Sequence, residues 1–252
     1  MLADDPQALL RALGVNAPRE IDIEAIAQYC GATVMYEPLE GCEGRIIGFS
    51  NRAIITVNQR ATESRRRFSA AHELGHWLKH RGKVALVCDN DQLTCKWDGH
   101  DKEGVANRYA AELLLPQYLF QPLLKQRLLT FEAVRWLAEQ FETSITATAI
   151  RAVQLTDSHA ALICSSEHGR QWFELSPRAK EAQCWPRRSL SAESCASAIL
   201  KRDEEPTGLR KVPASVWFGG KNASIRNVVE DTVRITANLV LSLVVWTSSS
   251  AK

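Results

Sequence analysis

The sequence predicts an α+β fold on three observations. Residues 62–80 carry a helical apolar period, residues 44–48 and 53–57 are β-branched runs around a turn, and residues 233–245 place apolar side chains on alternate positions. The pattern changes near His159, which divides the 252 residues into two domains, 1–156 and 157–252. Each is large enough to bury a core of its own.

Taken in order, residues 44–48 (Gly-Arg-Ile-Ile-Gly) and 53–57 (Ala-Ile-Ile-Thr-Val) flank Phe49-Ser50-Asn51-Arg52 and read as a hairpin. The helix over 62–80 has Thr62 or Ser64 as N-cap, an apolar face through Phe68, Ala71, Leu74 and Leu78, and Gly82 where a helix commonly stops. A second helix covers 102–116 and closes at Pro116. Residues 128–141, with Thr130 as N-cap, and a helix from 145 through Val153 flank a short turn, a pair like a helix-turn-helix. The second helix of that pair has Arg151 as its one basic residue, a poor inventory for phosphates, so a packing role is favoured over reading of DNA. Residues 160–164 and 170–175 read as a hairpin around Ser-Ser-Glu-His-Gly, and the polar stretch 177–206 admits a helix over about 191–201. Val233 to Val245 reads as one long strand, half-buried in its first half and buried on both faces in its second.

The chemistry is concentrated in His72-Glu73-Leu74-Gly75-His76. Two histidines four residues apart lie on one helical face, so both imidazoles can reach a single metal ion. Glu73 follows the first histidine and can take a proton from a metal-activated water. Gly75 costs about 1 kcal/mol against Ala in a helix interior, and it lets another backbone or a side chain approach the metal closely. A catalytic zinc usually has three protein ligands and one open position. Gly82 stands where a metzincin would carry its third histidine. Cys88 and Cys95 lack the close spacing of a structural zinc pair, and the residues between them read as an exposed loop. A carboxylate on the helix over 102–116 remains, where Glu103 and Asn107, four apart, share a face.

His-Glu-Leu-Gly-His followed by Glu103, Asn107, Ala110-Ala111, Leu113-Leu114 and Pro116 resembles the ImmA/IrrE family of bacterial metallopeptidases, and more broadly the gluzincins. The approach Arg65–Ala71 and the opening helix over 21–27, leading into a strand, are similar too, and the resemblance spans roughly residues 7 to 155. It implies a zincin-like metallopeptidase domain with a small mixed sheet. His72, His76 and Glu103 would be ligands of one Zn2+, or of Mn2+ or another divalent metal, with Glu73 as general base. Asn107 falls where thermolysin-like enzymes carry an Asp that holds a ligand histidine; its amide oxygen can fix the tautomer but raises ligand basicity less. In such peptidases a sheet edge beside the motif helix binds the substrate backbone, so one of the runs 44–48 and 53–57 offers such an edge or, as readily, is covered on both edges. His100, Tyr109 and His159 are candidate oxyanion donors by chemistry, and spacing selects none of them. The implied activity is endopeptidase cleavage of a helix-turn-helix repressor or antitoxin-like protein. The alternative is a catalytically silent regulator that binds a repressor or DNA. Some relatives append a sensor-like domain after the peptidase unit; residues 157–252, of mixed α/β pattern, carry no ligand motif and their role stays open.

Composition narrows the setting. With 31 basic and 29 acidic residues the formal charge is +2, so no strong field recommends a nucleic-acid or membrane partner. The N-terminus lacks a signal-peptide core, the apolar run 239–246 is far too short to span a bilayer, and seven scattered cysteines make no disulfide framework. The expected compartment is the cytoplasm. Arg65-Arg66-Arg67 opposes the macrodipole in the first turns of its helix and is expected to be a solvated, ion-paired face.

Overall fold

The computed structural model describes residues 4–79, 84–89, 102–204, 208–219 and 227–247, with backbone alone over 84–89. Gly82, Cys95, His100 and the loop expected after residue 89 lie outside the described residues. The chain is mixed α+β and divides into two units: Met1–Phe120 with Ala138–Ser144, and Gln121–Leu137 with Ile145–Lys252.

In the first unit, short helices start on carboxylate caps. Asp5 accepts the N–H of Gln7 at 2.9 Å to begin α1 (Pro6–Ala12), and Asp22 accepts that of Ala25 at 2.9 Å to begin α2 (Ile23–Tyr29). Gly31, at φ +81°, turns the chain into β1 (Ala32–Glu37). A Cβ at that position would lie 2.6 Å from the carbonyl oxygen of Asn51, so only glycine fits without displacement. β2 (Cys42–Phe49) and β3 (Arg52–Asn58) form the expected hairpin, then α3 (Glu63–Lys79), β4 (Val84–Asp89) and α4 (Lys102–Leu114) follow.

The sheet order is β1-β3-β2-β4, with β1 parallel to β3 and the other pairs antiparallel. Neither run offers the substrate-binding edge considered for one of them, and the covered alternative holds: β1 covers one side of β3, and β4 covers one side of β2. Their partners arrive from distant segments, and alternation within a strand does not reveal what flanks it. Gly44, Ile46 and Gly48 of β2 and Ala53, Ile55 and Val57 of β3 are buried, and the two β2 glycines lie against Glu73 and Trp77 of α3. Ile47, Phe49 and Ile54 are exposed.

α5 (Gln117–Lys125) follows Pro116, and the division between units passes through α5 and α6 (Phe131–Phe141). Thr130 caps α6 as expected, its Oγ1 accepting the N–H of Ala133 at 3.2 Å, and Asp231 accepts the N–H of Phe131 at 2.7 Å. α7 (Ile145–Leu155) lies three residues beyond α6.

The second unit is an antiparallel sheet of order β6-β5-β9-β8-β7. Its elements are β5 (Ala160–Ser166), β6 (Gly169–Leu175), α8 (Pro177–Glu181), α9 (Cys195–Arg202), β7 (Arg210–Pro213), β8 (Asn227–Thr236) and β9 (Leu239–Trp246). Ser194 caps α9 through the N–H of Ser197 at 3.1 Å. The single strand expected over 233–245 is instead a hairpin, turning at Ala237-Asn238. The two-residue turn alone would pair even with odd positions, but a register shift between Arg234 and Thr236 restores the parity, so Val233 pairs with Leu241 and the alternation passes through the reversal without a break. The second-half expectation holds: Val240 to Val244 are all buried on β9, which lies between β5 and β8.

Candidate metal centre

Ten consecutive residues of α3, Ser69 to Leu78, are buried. Such all-round burial requires cover beyond the sheet, and α4 supplies it. Gly75 is where the two helices meet: an added Cβ would lie 3.1 Å from Cβ of Tyr109 and 3.2 Å from Cα of Ala106. α4 makes its close approach at this glycine, which brings Glu103 and Asn107 to the histidines.

His72 and His76 are fully buried, with ring centroids 4.7 Å apart and planes at 82°. Their Nε2 atoms are 3.0 Å apart. Nε2 of His72 lies 3.1 Å from Oε2 of Glu103, and Nε2 of His76 lies 3.2 Å from Oε1 of the same carboxylate. Nδ1–H of His72 donates to Oδ1 of Asn107 at 2.9 Å. Because the amide oxygen can only accept, that bond places the proton on Nδ1 and leaves a lone pair on Nε2.

His72 Nε2 and the Glu103 carboxylate therefore turn electron pairs toward one point, with Nε2 of His76 beside them. Spacings of 3.0 to 3.2 Å are close to the roughly 3.3 Å that separates neighbouring ligand atoms around a tetrahedral ion with bonds of about 2.0–2.1 Å. The donor set and its spacing fit a divalent metal, and His72, His76 and Glu103 could hold one. Glu73, also fully buried, adjoins this cluster in sequence and lies under β2.

Gly44 escaped the sequence reading. A Cβ there would lie 2.8 Å from Oε1 of Glu73, so the strand passes directly over that carboxylate. A glycine inside a β-branched run was the available signal for such a close pass. Of the other candidates, Tyr109 is buried at the α3–α4 contact and His159 belongs to the second unit, where its ring packs against Trp246 at 6.1 Å. The triple arginine is held locally: Arg65 reaches Glu43 at 4.0 Å, Arg66 lies over the Tyr36 ring at 5.6 Å, and Arg67 bonds Glu142 at 3.1 Å. Arg65 and Arg67 are ion-paired as expected, but the run is half-buried rather than solvated, and Arg67 also donates to the Ile21 carbonyl at 3.0 Å.

The small mixed sheet, the buried motif helix and the His-His-Glu cluster define a metallopeptidase-like domain. Residues 27–153, from α2 to α7, match the Peptidase_M78 family, described as the IrrE N-terminal-like domain, and the chain belongs to that family. Among solved structures, a Mycobacterium tuberculosis transcriptional regulator shares the fold with a TM-score of 0.61 at 12% identity, over 96% of this chain and 74% of that chain. Among curated proteins, none matches the sequence significantly. No described helix is long and apolar enough to cross a membrane.

Proposed function

We propose that this chain is a zinc-dependent endopeptidase, built on a zincin-like domain, that cleaves a bacterial helix-turn-helix repressor or antitoxin-like protein. The observation that carries this reading is the convergence of His72 Nε2, His76 Nε2 and the Glu103 carboxylate within about one ligand spacing of each other. These three residues would hold the metal, which when bound supplies Lewis acidity and activates water near neutral pH. Glu73 takes the proton of the attacking water on a carboxylate oxygen and passes it to the leaving amine nitrogen, as the new C–O bond replaces the C–N bond. Asn107 accepts the Nδ1–H of His72 and keeps the Nε2 lone pair aimed at the site. Family membership supports peptide-bond chemistry, and the name of the mycobacterial neighbour supports a role in transcriptional control.

In this reading residues 1–156 are the catalytic domain, the α6–α7 pair is helix-turn-helix-like in form but serves packing, and residues 157–252 regulate. The protein works in the cytoplasm, where its substrates are. Elemental analysis is the first test: about one zinc per chain in the wild type and none in a folded Glu103→Ala variant. Glu73→Gln should retain zinc and lose repressor cleavage by about 10³-fold. Stoichiometric repressor binding without cleavage by the zinc-loaded protein would identify a silent regulator instead.

A further inference from the structure

Peptide hydrolysis makes no use of an aromatic and cationic surface on the second unit. Residues 184–189 run between the start of β6 and the segment before residue 219, and they are pinned on both sides. The N–H of Arg170 donates to the carbonyl of Arg188 at 2.9 Å, and the Arg170 guanidinium donates to the carbonyl of Pro186. Gly169, at φ +115°, permits this, since a Cβ there would lie 2.5 Å from the Arg188 oxygen. On the other side the N–H of Arg187 donates to the Trp217 carbonyl at 2.8 Å, and its Nε donates to the Phe218 carbonyl at 3.1 Å. Trp217 is itself fixed, because its indole N–H donates to the buried Glu230 carboxylate at 2.6 Å.

On this fixed segment Trp185 is 54% exposed. Its ring meets Phe173 edge to face, with centroids 6.1 Å apart at 74°, and the Arg170 guanidinium lies 4.6 Å over the Phe173 ring. Half-exposing a tryptophan forgoes hydrophobic stabilisation that a small rotation of a loose loop could recover, and here the backbone bonds hold the ring out. Arg187 and Arg188 are exposed beside it. Among the described residues, Arg170, Arg187 and Arg188 form no ion pair with a carboxylate. Burial, and then the charge of Arg188, push the Arg170 guanidinium below its ordinary pKa, a repulsion that an anion would relieve.

The chemistry that matches is an anion repeated along a chain and interleaved with flat rings. We propose that this surface binds single-stranded nucleic acid, with Trp185 as the stacking platform and Arg187 and Arg188 on backbone phosphates. An acidic polypeptide would satisfy the arginines but leave the tryptophan without a partner. A duplex keeps its base faces stacked inside and offers Trp185 nothing to stack on. The total charge of +2 conceals this surface because it averages over segregated charges.

The test is fluorescence anisotropy of a labelled oligo-dT of about 20 nucleotides with the full chain, titrated across salt concentration. Binding is expected with or without chelator, because the surface owes nothing to the metal cluster. Trp185→Ala should weaken it about tenfold or more, while Trp185→Phe keeps most of it. Arg188→Ala should flatten the slope of log K against log salt by about 0.7, the contribution of one phosphate contact on a single strand. Both side chains are exposed, and an unchanged melting temperature will confirm that the variants fold. The proposal is overturned by no binding at low salt, by equal affinity for a duplex of the same length, or by variants that bind like the wild type. Stronger binding of polyglutamate through the same residues would also overturn it and point to an acidic protein partner.

Discussion

Glu103 and Glu230 are both carboxylates drawn in among buried groups, and their surroundings differ in kind. Glu230 is fully buried and receives the N–H of Cys195 at 3.0 Å, Nε–H of Arg210 at 2.7 Å and the indole N–H of Trp217 at 2.6 Å. Donors meet acceptors there, and the charge ties α9, β7 and β8 together. Glu103 faces two imidazole nitrogens, one of which Asn107 has fixed as an acceptor. The lone pair of His72 Nε2 faces the Glu103 carboxylate there, an arrangement that a cation relieves. A buried carboxylate thus marks structure where its partners carry protons, and a binding site where they present lone pairs.

The largest effect expected from this contrast is on Glu230. Glu230→Leu leaves the indole and α9 donors without an acceptor and should cost about 3 kcal/mol, at the lower end for a broken buried pair because the Arg210 side chain is 38% exposed. Chemical denaturation measures it, with metal content unchanged; a loss below about 1 kcal/mol would break the comparison. Next comes Asn107→Ala, expected to weaken zinc binding by about 10–100-fold in competition with a chromophoric chelator, while Asn107→Asp equals or exceeds the wild type. A smaller effect, of opposite sign, is expected from Glu103→Gln in chelator. The amide can donate to an imidazole Nε2, so the metal-free protein should gain about 1 kcal/mol in thermal denaturation even though the metal site is lost. A destabilised metal-free variant would show that the cluster is satisfied without a cation.

The smallest effect belongs to a group outside both clusters. Burial first, and then the hydrogen bond to Glu24, push the Tyr36 hydroxyl up to about 12. A raised folded pKa means its contribution is complete below the ordinary tyrosine value near 10 and is lost as pH rises from there to about 12. Absorbance titration of phenolate in Tyr36→Phe against wild type should lose one late-ionising group, with the pH dependence of both carboxylate clusters unaltered.

The candidate site was legible because its determinants are local. His72 and His76 share one helical face and Glu103 and Asn107 another, so helical periodicity forms each pair, while their roles and that of Glu73 come from the family resemblance. The crossing that joins the two groups was visible only as Gly75, and the strand over Glu73 only as Gly44. Pairing was less legible. Residues 53–57 look like any half-buried strand, and nothing in them declares that residues 32–37 lie alongside in parallel. The Glu230 cluster was invisible, since its partners come from positions 195, 210 and 217 and no period or motif links them.

One hydroxyl pair acts as a proofreader of assembly. Because β9 is apolar on both faces from Val240 to Val244, its hydrophobic pattern does not say which face belongs to which side of the sheet. Ser242 does, since its hydroxyl bonds that of Thr232 on β8 at 2.9 Å with both side chains buried. A one-residue slip would strand both hydroxyls in the core at about 1–3 kcal/mol each. The information that selects the correct alignment of this strand resides in two oxygen atoms rather than in its bulk.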